Sequence, residues 1–434
     1  MVRKAGIALA LFAAAIRISG AATPLPYQSE ARHLGVATCA TSVCHGSVIP
    51  SSGHDVALNE FVTWSHDDRH SQAYAALTSD KGRSIAARLG IADARTAEEC
   101  LGCHTDNVPA SRRAPGFTVS DGVGCEACHG GAERWLATHS ARGASYRQNI
   151  SRGMYPTADL HERATLCLSC HAGNEDKFAT HRIMGAGHPR LAFELDTFLA
   201  LQPPHYQIDA DYPKRKPVYS RTRVWVHGQL AAAMRDMQTL QGPLMQKGTL
   251  VPELALFDCH ACHENPLHRQ DWSRGLLTRL LPAGSVPFAD GHLKMAILIA
   301  RRLDDNVAQT LIQQGQLLQK SSSEDTRKVL ANAGALSRAL SRTIELADSH
   351  TWTREDSTQM LRALLQLGAN GDCADYISAE QAVMATELLM IETDIAARHR
   401  PALDDLYRTL RNDDAYQPSR LRDQMAALAS QISQ

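Results

Sequence analysis

The chain has 434 residues, with 45 Lys and Arg against 46 Asp and Glu, and a formal net charge of −1. No long run of either sign is present, which argues against a nucleic-acid groove. Only 5% of the residues are aromatic, low for the core of a chain this long, so other large apolar bodies are expected to fill part of the interior.

The N-terminus has the pattern of a secretory signal over residues 1–22. Arg3 and Lys4 form a basic start, 5–16 an apolar stretch, and 19–22 a small-residue cleavage region. Arg17 interrupts the apolar run, which is too short to anchor in a bilayer, and cleavage is expected near Ala21 or Ala22. No later stretch reaches about 18 apolar residues, so no membrane span is expected after signal cleavage. The mature chain is expected in the periplasm.

Five times a pair of cysteines is followed at once by histidine. The runs are Cys39–Cys44–His45, Cys100–Cys103–His104, Cys125–Cys128–His129, Cys167–Cys170–His171 and Cys259–Cys262–His263, and they hold ten of the eleven cysteines. This is the covalent attachment signature of haem c: two thiols reach the vinyl groups of one porphyrin edge, and the adjacent imidazole binds iron. The first run has four residues between its cysteines where the others have two. Five covalent haems are therefore expected, and they would supply much of the core.

Two blander chemistries fit less well. A zinc ion cannot easily take a cysteine and its immediate neighbour as ligands, and a disulfide framework belongs to short domains without a core. With histidine at about 5% of the chain, its chance arrival after all five second cysteines has odds of roughly one in several million. The eleventh cysteine, Cys373, has no histidine after it and is expected to be a structural thiol.

Along the chain, apolar spacing predicts a helix over 60–77 and another from Val224 towards Leu244, with a Pro- and Lys-rich link over 203–217 between the fourth run and the second helix. Beyond Trp272 the segments 292–319, 324–347, 355–367 and 377–398 all carry helical periodicity. Residues 378–381 have the form of a capping box, and short connections at 321–323 and 370–375 suit antiparallel packing. The expected fold is mainly α: a multihaem cytochrome domain over 23–270 with little regular sheet and haems as its core, then a haem-free, bundle-like helical domain over 271–434.

The block Glu60–Trp64, followed by Asp68–Tyr74, Cys100–His104, Gly122–Gly130, Trp135–His139 and Cys167–His171, resembles the cytochrome c-554 family over roughly residues 33–200. The resemblance implies a mostly helical fold with closely stacked porphyrins and electron transfer between a nitrogen-oxidising enzyme and later carriers. It also implies that His70 and His139 are distal iron ligands, that one lies shortly before the fourth run, which draws attention to His161, and that the haem on Cys100, Cys103 and His104 is five-coordinate. The chain departs from the family in its longer first loop, its fifth run and its helical extension.

The residues add further candidates. His188 stands in a rigid Gly–His–Pro turn that lets backbone approach a porphyrin face, and His181 lies just before it. The candidate iron ligands are thus His45, His104, His129, His171 and His263, with His70, His139, His188, His181 and His161 on the distal side. His33, His54, His66, His227 and His260 are expected to be polar core, helix-face or surface residues, and His268, His292, His350 and His399 ordinary members of the helical part. Glu126 and Arg134 could tune potentials or simply be solvated.

Two functions are open at this stage. A second imidazole on iron leaves no vacant position and suits electron relay between redox proteins. An open iron would suit an enzyme converting a small nitrogen or sulfur species such as nitric oxide or hydroxylamine. Against the enzyme, the sequence lacks the Cys-x-x-Cys-Lys variant of ammonia-forming nitrite reductases.

Overall fold

The computed structural model describes residues 23–51, 56–210, 212–246, 252–263 and 275–432. The expected signal segment, His54 and His268 lie outside the described residues. The structure is 62% helix, and the described residues hold no sheet, only isolated bridges between His33 and Arg113 and between Phe257 and Phe288. The mainly helical expectation is met.

Short helices and turns make up the first half. The helix expected over 60–77 is split into Glu60–Asp67, the 3₁₀ turn Arg69–Gln72 and Ala73–Leu77. The break has a local cause: Asp68 adopts an extended conformation and its carboxylate accepts from His70 N at 2.9 Å, starting a new turn. Apolar clusters in this half are small, such as Leu77, Ala86, Ala94 and Leu101, or Leu89, Ile183 and Ala186.

The long helix Arg221–Gln241 joins the two halves. Ser220 caps it by accepting from Arg223 N, and its apolar residues run all the way round. Trp225, Val226, Leu230, Ala233, Met237 and Leu240 face the large C-terminal core. Val224, Ala231 and Ala232 face the cluster that contains Leu160, Ala164 and Leu168 of the helix Leu160–His171. The helix thus packs on one side against the first half and on the other against the C-terminal helices.

The C-terminal half is a set of helices, Gly291–Leu303, Asp305–Ser321, Thr326–Ser349, Arg354–Ala369, Tyr376–Glu392, Arg400–Thr409 and Pro418–Ile432, all amphipathic except Tyr376–Glu392, which is apolar nearly all round and central to the core. The single helix expected over 292–319 is divided at Asp304, whose side chain accepts from Asn306 N and Val307 N and caps a second helix. The capping box expected at 378–381 is displaced. Asp375 is the cap, and Ser378 is buried one turn inside. Here Lys294 is fully enclosed, 2.6 Å from Asp290 and 2.7 Å from Asp375, with Ser378 Oγ at 3.0 Å. Burial opposes its charge, but the two carboxylates outweigh that and hold its pKa well above the ordinary lysine value.

Candidate haem-binding site

Four of the five runs lie on helices: Glu98–His104, Cys125–His129, Leu160–His171 and His260–His263. Their spacing explains this, because residues i, i+3 and i+4 share one helical face, so both thiols and the imidazole point the same way. The first run, with four intervening residues, cannot do so. It closes as a turn in which His45 N donates to Cys39 O at 3.1 Å.

Each of the five proximal histidines has a second imidazole facing it. The pairs are His45 with His139 at 5.9 Å between ring centroids, His70 with His171 at 5.9 Å, His104 with His188 at 6.4 Å, His129 with His205 at 6.4 Å, and His181 with His263 at 6.1 Å. Two imidazoles on opposite sides of one metal, each with a metal–nitrogen bond of about 2.0 Å and its centroid about 1 Å behind the ligating atom, stand about 6 Å apart. The donor set thus fits an iron between each pair. Ring planes are near parallel in His45/His139 (18°) and tilted in His181/His263 (30°), but close to perpendicular in the other three (84–88°).

Hydrogen bonds orient these rings. His45 Nδ1 bonds Glu60 at 2.8 Å, His70 Nδ1 bonds Asp68 at 2.9 Å, His104 Nδ1 donates to Ala73 O at 2.8 Å and His188 Nδ1 to Pro189 O at 2.7 Å. In each case Nδ1 is occupied and Nε2 is left for a metal. Asn149 lies 3.3 Å from His139 Nδ1 while its own Oδ1 has no partner. With the amide turned so that Oδ1 faces the ring, His139 Nδ1–H gains an acceptor.

Electrostatics agree with these roles. Burial pushes His129 down to about 3 and lowers His171, His188 and His205, which favours the neutral, metal-binding form. Glu60 and Asp68 raise the pKa of His45 and His70. Burial works against ionisation of Asp68, but hydrogen bonds from His70 and Gln202 outweigh it and bring its pKa down to about 2.

Local backbone brings distant runs together. Gly122 has φ +75°, and a Cβ there would lie 2.7 Å from His70 O, so the entry to the third run can dock on the His70 turn only as glycine. The first and third runs adjoin through Glu126, which accepts from Leu34 N and Gly35 N, and through Gly124, which lies against Val36. Cys128 is within electrostatic reach of Cys167 and Cys170, and Cys103 Sγ lies 4.0 Å from Cys170 O. Lys177 bridges the second and fourth runs, donating to Gly102 O at 2.9 Å and to Cys170 Sγ at 3.0 Å. The first four runs therefore adjoin in the order first, third, fourth, second.

Two positions differ from expectation. His161 sits exposed in the first turn of the helix Leu160–His171 and makes no ring pair with a proximal histidine among the described residues. The ring that faces His129 belongs to His205, from the stretch treated above as a link. Its local signal was a histidine after Pro203 and Pro204, in a half-buried loop.

The remaining histidines have structural surroundings. His33 is buried with Nδ1 2.7 Å from Asp106, His292 bonds Gln229 at 3.0 Å, and His350 pairs with Asp356 at 3.2 Å. Glu126 is buried, not solvated, and accepts from Leu34, Gly35 and Ala132 backbone N–H groups at 2.9, 2.7 and 2.6 Å. It is a backbone clamp between the first and third runs. Cys373 is buried, as expected for a structural thiol.

No helix among the described residues is long and apolar enough to cross a membrane. No curated protein and no solved structure matches the chain. A family model described as cytochrome c554 and c-prime matches residues 38–130, a shorter span than the 33–200 stretch of the resemblance. Residues 38–130, which carry the first three cysteine runs, are a domain of the cytochrome c554 and c-prime family.

Proposed function

We propose that this chain is a periplasmic pentahaem cytochrome c that relays single electrons between redox proteins. The ten cysteines of the five runs would hold the porphyrins, and the pairs His45/His139, His70/His171, His104/His188, His129/His205 and His181/His263 would supply two imidazole ligands to each iron. When bound, the haems supply five one-electron couples. The residues of the chain orient the imidazoles by hydrogen bonding, favour the neutral form of His129, His171, His188 and His205 by burial, and bring successive attachment runs into contact.

The observation that carries this reading is that all five proximal imidazoles have a partner ring 5.9–6.4 Å away. It weighs against the open-iron enzyme, because His188 occupies the position that such an enzyme would leave vacant opposite His104. Extracytoplasmic maturation is supported by the N-terminal pattern, since thiols are joined to haem outside the reducing cytoplasm.

The holoprotein, matured in a host with cytochrome c assembly machinery, tests the proposal by intact mass and by electron spin resonance. Five added tetrapyrroles and low-spin signals indifferent to carbon monoxide and nitric oxide are expected. A high-spin component that binds either gas would restore the enzyme.

A further inference from the structure

The fifth run lies beyond the family match, which ends at residue 130, and its loop is built into the helical half. His260, between Cys259 and Cys262, stacks on Tyr416 with centroids 5.8 Å apart and planes at 13°, and meets Tyr376 edge-on at 5.5 Å. Both tyrosines are buried. The preceding strand of chain is pinned as well: Asp258 N donates to Pro287 O at 2.9 Å, Ala289 N donates to Leu256 O at 3.1 Å, and Phe257 stacks on Phe288 at 4.7 Å.

The partner of His263 reaches in the other direction. His181 opens the helix His181–Gly185, and His188, which faces His104 of the second run, follows within the same short segment. At about 1.5 Å per helical residue, and under 3.6 Å for each of the rest, the two imidazole-bearing positions lie within roughly 17 Å. Arg182, beside His181, pairs with Glu99, beside Cys100, at 3.5 Å and donates to Leu89 O at 2.6 Å. Ile183 and Ala186 bury against Leu89.

We propose that the fifth run is an outer terminus of the relay, positioned by the C-terminal helices through His260 and joined to the other four runs through the second. The inference rests on the five-haem function proposed above. The attachment runs then follow the order first, third, fourth, second, fifth. With haems bound, each step would pass one electron between neighbouring irons with no other bond changed, which suits one-electron redox proteins as donor and acceptor at the two ends. Cys262 is the one exposed cysteine of the ten, which sets this run where a partner protein can approach. The helical half thereby gains a role: it is the platform on which the terminus is mounted, with His260 as a positioning residue.

Potentiometric titration of the holoprotein followed by spin resonance tests the order, using methionine variants to mark single sites, because a His/Met pair raises the potential above that of His/His. His181→Met marks the fifth site, His188→Met the second and His70→Met the fourth. Early reduction of the fifth site in His181→Met is expected to lower the midpoint of the second site more than that of the fourth. A larger shift at the fourth site would overturn the order; its route would be the cleft shared by Cys259 and Phe193, the latter stacked on His171 at 5.2 Å. A product carrying four haems by mass would overturn the five-haem function together with this inference, whereas a misplaced shift overturns this inference alone. His260→Ala is expected to broaden the fifth-site signal and move its midpoint with the other four unchanged, and His260→Phe, which keeps the stack, to restore it. An unaltered fifth signal in His260→Ala would end the positioning role.

Discussion

His188 faces His104 across 6.4 Å with ring planes at 88°. This one relationship separates a relay from a catalyst, because a second imidazole removes the vacant position at which a small molecule would bind. His188→Ala is expected to convert one of five low-spin centres to high spin and to create one binding equivalent for carbon monoxide. The wild-type protein is expected to bind none; one equivalent bound by the wild type would show that His188 does not close that iron.

The ring-plane angles predict the spectrum. Near-parallel axial imidazoles split the iron d orbitals rhombically, whereas perpendicular ones leave them nearly degenerate and give a strongly anisotropic signal. The angles of 18° and 30° against 84–88° therefore predict two rhombic and three highly anisotropic low-spin ferric centres. His139→Met should remove one rhombic component, and His70→Met one anisotropic component. Five signals of one class would contradict the ring geometry.

His205 and His161 make a paired test, since one stands opposite a proximal imidazole and the other does not. His205→Met is expected to alter the spectrum of one centre and raise its midpoint, because a thioether ligand favours ferrous iron. His161→Met is expected to leave all five signals in place, its side chain being exposed on the first turn of its helix. Reversal of the two outcomes would return His161 to the ligand set.

The contrast between these two histidines shows where the sequence is legible. A proximal candidate is marked by its immediate neighbours, since two cysteines and a histidine stand together in one short run, on a helix in four cases and in a turn in the first. A distal ligand is a tertiary fact. His205 approaches His129 from 76 positions away, and no local spacing marks it. His188 was legible because Gly187 and Pro189 constrain its turn, and His70 because its block resembles a family pattern. The helical half was legible as helices from its apolar periodicity, but not its breaks. Asp304 and Asp68 end and restart helices through side-chain bonds to backbone N–H groups, which a hydrophobic pattern does not register. The link to the fifth run was equally hidden, because the stack of His260 on Tyr416 joins segments more than 150 residues apart.

The buried cation of the helical half offers a test of stability separate from the haem ligands. Lys294 is shared by Asp290 and Asp375 inside a closed core, and Gln319 and Ser378 complete their hydrogen bonds at 3.1 and 2.8 Å. Removing one member of such a set leaves unpaired buried charge, so Lys294→Met is expected to cost about 3–5 kcal/mol in denaturant unfolding of the holoprotein. Arg342→Ala, which breaks the exposed pair with Glu345, is expected to cost under about 1 kcal/mol. Asp375 caps the helix that begins at Tyr376, and Tyr376 touches His260. Loosening at Lys294 should therefore reach the fifth run first: its signal is expected to broaden at denaturant concentrations that leave the His70/His171 signal unchanged. Simultaneous loss of all five signals at the lower midpoint would instead show that the two halves unfold as one unit around the helix Arg221–Gln241.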